Sequence, residues 1–344
     1  NNVWYKLLPS QTAQEVTHNL QGNYNSWFRL RKKDEKARPP RFRRKEMLSP
    51  ISFYQQFKIK NNKVILSVSR KYKEEKGIKN IEIECDLWRK EIGKAKMCQI
   101  IFNKGKWFAH IVYEVVEPEI KLNDKIMAID VGIINTASCI TNKGFSENHS
   151  GRGILSAQHY FNSRKARVQS KLMKQFPKRY SSNTLRRLNM KQKRQINNMI
   201  HIVSRNIIDR AKELDVRTIV IGDLTDIRDN KNFGKRNNQK LHSWSFSKLT
   251  QMLEYKATSV GIRFVRVSEE NTSKTCSYCG TVRKSNRIHR GLYKCKSCGN
   301  VINADINGAC NILKKYLQIF PKEDRSIGEV VSPLVSRIEN VIPR

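Results

Sequence analysis

Two Cys-x-x-Cys pairs near the C-terminus, Cys276/Cys279 and Cys295/Cys298, stand fifteen residues apart, and no other feature restricts the fold so closely. Four thiolates at this spacing close a tetrahedral zinc site. Gly280 and Gly299 follow the pairs, where a zinc knuckle turns tightly. Two disulfides would instead need an oxidising compartment, and no secretory signal or transmembrane run is read in the sequence. A redox Cys-x-x-Cys would need no twin. With four ligands and no open position, the zinc is expected to hold the fold and not to catalyse. The other cysteines, Cys85, Cys98, Cys139 and Cys310, have no ligand spacing and read as small, buried or half-buried residues of a reducing cytosol.

The partner follows from charge. Across 344 residues, 67 Lys and Arg face 30 Asp and Glu, a formal net charge of +37. Such an excess implies a polyanion. No lipidation signal or 18-residue apolar run points to a membrane, so nucleic acid is the expected partner. The length allows two or three domains. The chain begins Asn1-Asn2 without methionine, so part of an N-terminal region is expected to be missing.

From Thr12 to Leu30 the pattern is an amphipathic helix, with Ala13, Val16, Leu20, Tyr24 and Trp27/Phe28 on one side. Pro39-Pro40 then interrupts a basic loop in which Arg41, Arg43 and Arg44 are expected to contact phosphates. Residues 51 to 116 change to short alternating runs, with Asn61-Asn62 and Lys104-Gly105 where hairpin turns belong. These runs predict an antiparallel β domain closed into a small barrel. Residues 155 to 213 read as two helices broken at FPKRYSSN, with Ser182 or Asn183 as cap and Leu185, Leu188, Ile196, Ile200, Val203 and Ile207 as the second helix's apolar face. Between Arg164 and Arg205 there are thirteen Lys or Arg and no acid. Arg164, Arg167, Lys171, Lys174, Arg186, Arg187 and Arg194 are therefore expected to bind nucleic acid, since so unbalanced a run repels itself without an anion.

Three strands deliver acids at their ends. KIMAIDVGIINTASCI is a buried strand ending in Asp130, with Gly132, Asn135 and Thr136 before a second strand. VRTIVIGDLTDIR is a second buried run ending at Gly222, Asp223 and Leu224, and IRFVRVSEE delivers Glu269 and Glu270 after an amphipathic helix built on Trp244, Phe246, Leu249, Met252 and Leu253. In α/β sheets that edge is where ligands bind. The strand pair around Asp130 resembles the start of an RNase H-like fold, in which a carboxylate held at the sheet's centre meets a divalent metal and a phosphate.

Taken together, Asp130-Val131-Gly132, Ile221-Gly222-Asp223-Leu224, Asn271-Thr272-Ser273-Lys274-Thr275-Cys276, the cysteine pairs and Asn303-Ala304-Asp305-Ile306-Asn307-Gly308-Ala309 resemble TnpB, the OrfB-type protein of insertion sequences, and the related type V CRISPR effectors. The resemblance spans residues 120 to 312 in order. It implies a multidomain α/β chain: an RNase H-like (RuvC) domain with a zinc-ribbon insertion, preceded by an antiparallel β-barrel (wedge) domain with a helical recognition segment. The implied boundaries are a partial recognition segment at 1–50 and the barrel at 51–118. The nuclease domain follows at 119–270 with its basic hairpin at 155–213, then the target-nucleic-acid-binding insertion at 271–302, and the last helix and tail at 303–344. The family's earlier barrel strand and further N-terminal helices are not found in this sequence.

The resemblance further implies an RNA-guided DNA endonuclease of a transposon in the prokaryotic cytoplasm, associated with the nucleoid. A guide RNA from the transposon end pairs with target double-stranded DNA while the protein reads a short flanking motif. Cleavage uses two Mg²⁺ ions held by three carboxylates. Asp130 and Asp305 match the first and third acids, while the second departs, because Gly222 stands where many members carry glutamate before Asp-Leu. Either Glu269 or Glu270 replaces it from the next strand, or the site is inactive and the chain is an RNA-guided DNA-binding protein that represses without cutting. A plain zinc-ribbon nucleic-acid binder would leave the buried acids unexplained.

Overall fold

The structure is a computed structural model that describes residues 6–42, 48–85, 93–103, 106–177, 180–223, 246–289, 291–319 and 334–336. Arg43, Arg44, Leu224, Trp244 and the Lys104-Gly105 turn lie outside the described residues. The chain divides into two compact units, Asn1–Val116 and Glu117–Arg344. Among the described residues no helix is long and apolar enough to cross a membrane.

The first unit opens with helix α1 (Ser10–Arg31). Its expected apolar stripe does not bury as a whole: Ala13 is inside, and Thr12 Oγ1 donates to the Ser52 carbonyl at 3.0 Å, but Val16, Leu20 and Phe28 are exposed. Six strands follow: β1 (Ile51–Phe53), β2 (Phe57–Lys60), β3 (Lys63–Ser67), β4 (Asn80–Glu84), β5 (Lys94–Asn103) and β6 (Lys106–Glu114). Asn61 and Asn62, at φ 49° and 57°, make the left-handed two-residue turn between β2 and β3. A short helix, α2 (Arg70–Lys76), is capped by the Ser69 side chain and ended by Gly77 at φ 67°.

These strands do not form a barrel. They make two open, three-stranded antiparallel sheets, ordered β1-β5-β6 and β2-β3-β4, and no sheet closes on itself among the described residues. The run SFYQQFKIK breaks at residues 54–56, and its two halves join different sheets. Phe53, Cys98 and Ile100 from one sheet pack with Val64 and Leu66 from the other, so side chains and not hydrogen bonds join the two. The barrel expectation is thereby corrected to a pair of packed sheets in a multidomain α/β chain.

The second unit is built on a six-stranded mixed sheet. Its strands are β7 (Ile126–Asp130), β8 (Asn135–Thr141), β9 (Ser146–Ser150), β10 (Thr218–Asp223), β11 (Arg263–Ser268) and β15 (Leu334–Ser336), ordered β11-β10-β7-β8-β9-β15. The run β7-β8-β9 is an antiparallel meander, whereas β10 lies parallel to both β7 and β11. Helices α3 (Arg152–Gln175), α4 (Asn183–Glu213) and α5 (Phe246–Thr258) intervene, with α4 capped by Ser182 Oγ accepting from the Leu185 N–H. Alternate residues of the central strands feed two cores. Met127, Ile129, Ile219 and Ile221 pack among residues of α4 and α5, while Ile126, Ala128 and Val220 meet Ile306, Ile312, Leu313 and Tyr316 of α6 (Ala304–Ile319). Burial on both faces explains why these strands read as unbroken apolar runs. Between β11 and α6 lies a small module with the strands β12 (Arg287–His289), β13 (Leu292–Lys294) and β14 (Val301–Ile302).

Candidate active site and metal centre

The parallel strands β7 and β10 end side by side, and β11 runs one strand further out in register, Gly222 opposite Val267 and Asp223 opposite Ser268. Glu269 follows immediately and turns inward over Gly222. A Cβ added at Gly222 would lie 2.1 Å from Glu269 Oε1 and 2.3 Å from its Cγ. The glutamate thus fills the volume that a side chain at 222 would occupy. Glu270 does not enter: it is exposed, and its backbone carbonyl accepts from Lys315 Nζ.

Asp130 closes the other side of this pocket beneath α6. A Cβ at Gly308 would stand 2.5 Å from Asp130 Oδ2, so the helix can approach only because that position has no side chain. Asp305, in the first turn of α6, is gripped on both oxygens. Asn135 Nδ2 donates to Oδ2 at 2.8 Å, and an Arg287 guanidinium nitrogen donates to Oδ1 at 3.2 Å. Asn303 Oδ1 accepts from the Asp305 and Ile306 N–H groups, which starts the helix at that acid. Sequence reasoning does not reach Asn135 or Arg287 as site residues. It marks Asn135 only as a turn residue, and nothing local marks Arg287, which the zinc-ribbon-like module delivers.

The carboxylates feel one another. Burial, then the charge of Asp305, pushes Asp130 up to about 7, against the pull of Arg287. Burial, then the charges of Asp130 and Asp223, pushes Glu269 up to about 8. Glu269 Oε1 is buried and accepts no hydrogen bond. A pocket that crowds carboxylates and leaves one oxygen unpartnered suits a divalent cation, which would supply the missing positive charge.

Both groups hold more protons in the folded chain than in the unfolded one between roughly pH 4, the usual carboxylate range, and pH 8. Metal-free protein should therefore lose stability as pH rises through that window. Thermal melts of chelator-treated wild type and Glu269→Gln check this. The variant is expected to melt higher at about pH 9 and to converge on the wild type near pH 5; a gap independent of pH would refute the assignment.

The cysteines gather more tightly than the acids. Cys276, Cys279, Cys295 and Cys298 place their sulfurs within 4.8 Å of one another, a spacing that no group of three acids reaches among the described residues. The Cys276–Cys298 and Cys279–Cys295 sulfur separations are 3.8 and 3.6 Å. A tetrahedron with metal–sulfur bonds of about 2.3 Å has edges of about 3.8 Å, so the donor set fits a four-thiolate metal ion. Asn286, fully buried, donates to Cys295 Sγ and to the Tyr293 hydroxyl, and thus fixes the module from behind the sulfurs. The module is fastened to α6 by amides: Asn307 Nδ2 and Asn311 Nδ2 both donate to the Thr275 carbonyl, and Asn307 Oδ1 accepts from the Ser277 N–H.

Of the residues expected to meet nucleic acid, Arg41, Arg164, Arg167, Lys171, Lys174, Arg186, Arg187 and Arg194 are all exposed. Those on α3 and α4 lie on helices whose first and last halves, respectively, supply most of the buried side chains.

Two family models and several known proteins match parts of this chain. A family model described as "Cas12f1-like, TNB domain" matches residues 246–312, and OrfB_IS605, described as "Probable transposase", matches residues 110–228. The CRISPR-associated endodeoxyribonuclease Cas12f1 of Sulfoacidibacillus thermotolerans is 37% identical over 131 residues, 38% of this chain and 28% of that protein. A TnpB-like protein of Acidianus two-tailed virus is 28% identical over 96% of this chain and 77% of its own length. Another, from Methanocaldococcus jannaschii, is 28% identical over 68% of this chain and 84% of its own. The match thus spans about a quarter of the first relative and most of the other two.

Proposed function

On the premise that this chain is a homologue of the TnpB- and Cas12f-type proteins of the OrfB family, we propose that it is an RNA-guided DNA endonuclease. Phosphodiester hydrolysis would occur at Asp130, Glu269 and Asp305. The observation that carries this reading is Glu269 seated over Gly222 beside Asp130, which supplies a second carboxylate where the family's usual position has none. A guide RNA reads the target strand by base pairing, and the protein reads a short flanking motif. The exposed arginines and lysines of α3 and α4 hold phosphates without reading sequence.

Asp130, Glu269 and Asp305 would hold Mg²⁺, and the four cysteines a structural Zn²⁺. Bound divalent cations stabilise charge on the phosphoryl oxygens and make water a competent nucleophile at neutral pH. The chain's own residues prepare that site. Asn135 and Arg287 fix the plane of the Asp305 carboxylate, Arg287 moderates the charge that Asp130 feels, and Gly308 lets α6 bring Asp305 near Asp130.

A second reading, an RNA-guided DNA binder that does not cut, is favoured by the carboxylates' looser spacing relative to the cysteines. The test separates the two. The protein is purified with its RNA, the RNA is sequenced, and the complex is mixed with plasmids carrying the matching target beside randomised flanking bases, with Mg²⁺ or with chelator. Mg²⁺-dependent linearisation beside a defined motif is expected. Binding without linearisation beside any motif would leave the non-cutting reading.

A further inference from the structure

Helices α3 and α4 meet partly along polar stripes, where packed helices ordinarily place apolar residues. Asn162 and Lys165 of α3, with Gln192, Lys193 and Asn197 of α4 and Lys248 of α5, line a cleft of about 290 Å³. That is near the small end of ligand-sized clefts, ~300 Å³. Lys165 Nζ donates to Gln192 Oε1 at 2.7 Å, Gln192 Nε2 donates to Asn162 Oδ1 at 3.3 Å, and Lys248 Nζ donates to Asn197 Oδ1. Both lysine bonds give an ammonium an amide oxygen. No carboxylate stands among the residues that line the cleft.

An amide oxygen satisfies one N–H of an ammonium and cancels none of its charge. Lys165 and Lys248 are half-buried. Burial presses both below the usual lysine range, and the neighbouring Lys193 presses Lys248 further. As helix packing alone this arrangement is unfavourable, because hydrocarbon would fill the gap better and crowded cations without a counter-ion cost free energy. An anion between them reverses the sign of that balance. We propose that this cleft is a phosphodiester-binding site that takes a backbone phosphate of a bound nucleic-acid strand between Lys165, Lys193 and Lys248. The inference rests on the reading of the chain as a nucleic-acid-guided effector. It adds a built site, distinct from the exposed arginines and from the carboxylate pocket.

Amine acetylation of the intact chain, read by mass spectrometry, tests it. The probes are a short single-stranded RNA and the DNA of the same sequence, with binding followed on the same samples by fluorescence anisotropy. Lys165, Lys193 and Lys248 are expected to lose reactivity together, severalfold, when one strand binds, and the strand that protects them identifies the source of the phosphate. In the Lys165→Met/Lys248→Met variant the slope of log affinity against log salt should shrink by about 0.7 for each single-strand phosphate that is no longer neutralised. A strand that binds while all three lysines stay as reactive as in the free protein, or a variant with an unchanged slope, overturns the cleft and leaves the nuclease reading standing. Failure of both strands to bind wild-type protein overturns the two together.

Discussion

Glu269→Ala is expected to abolish DNA cutting while Glu270→Ala leaves it nearly unchanged. The two glutamates are neighbours, but Glu269 lies over Gly222 with an unpartnered buried oxygen, whereas Glu270 is exposed. Loss of an outer partner of a metal ligand already costs about 10–100-fold in affinity or activity, so loss of a ligand should exceed that. RNA and DNA binding should persist, because the exposed lysines and arginines of α3 and α4 are left in place. The stronger test is an exchange. Gly222→Glu alone should fail, since its side chain would enter the space that Glu269 holds, but Gly222→Glu with Glu269→Gly should recover part of the activity. Equal cutting by Glu269→Ala and wild type would remove Glu269 from the mechanism.

The second large effect concerns the cysteine cluster. One zinc per chain is expected by metal analysis. Its removal, or Cys295→Ser, should unfold the module between β11 and α6, since structural zinc contributes on the order of 10 kcal/mol to small folds. Cys295 is fully buried, which makes the serine variant a sharp probe. The damage should reach the carboxylates. Arg287 would leave Asp305, and the Asn307 and Asn311 amides would lose the Thr275 carbonyl they hold. Cutting should therefore vanish while the basic helices still bind RNA. A serine variant that keeps its zinc and cuts like wild type would refute the structural role.

Some of this architecture is legible along the chain because its causes are local. The cysteine spacing foretells the sulfur cluster, and the break at FPKRYSSN foretells a helix start, which the structure assigns to Ser182. Asn61-Asn62 marks its turn because left-handed backbone favours asparagine. The β domain misleads for the complementary reason. Hairpin signals fix which consecutive strands pair, but barrel closure depends on partners distant in sequence, and the chain changes sheet between Phe53 and Phe57. The choice between Glu269 and Glu270 is equally non-local. Both follow the last residue of β11, and only the parallel register with β10 sets one of them above a glycine 47 positions earlier. The apolar stripe of α1 is a third case, because periodicity foretells a helix and not what covers it.

The close fit of Glu269 to Gly222 has a consequence for how such chains diverge. Two backbone positions, one on β10 and one just past the end of β11, compete for one volume, so a carboxylate can stand at either but cannot be held at both. A lineage that moves it must pass through a chain with either a steric clash or no second acid, and the two substitutions are strongly epistatic. On the role proposed for Glu269, comparisons that judge competence from the single residue before Asp223 would misclassify chains of this kind. Counting carboxylates per pocket, whichever strand supplies them, would not.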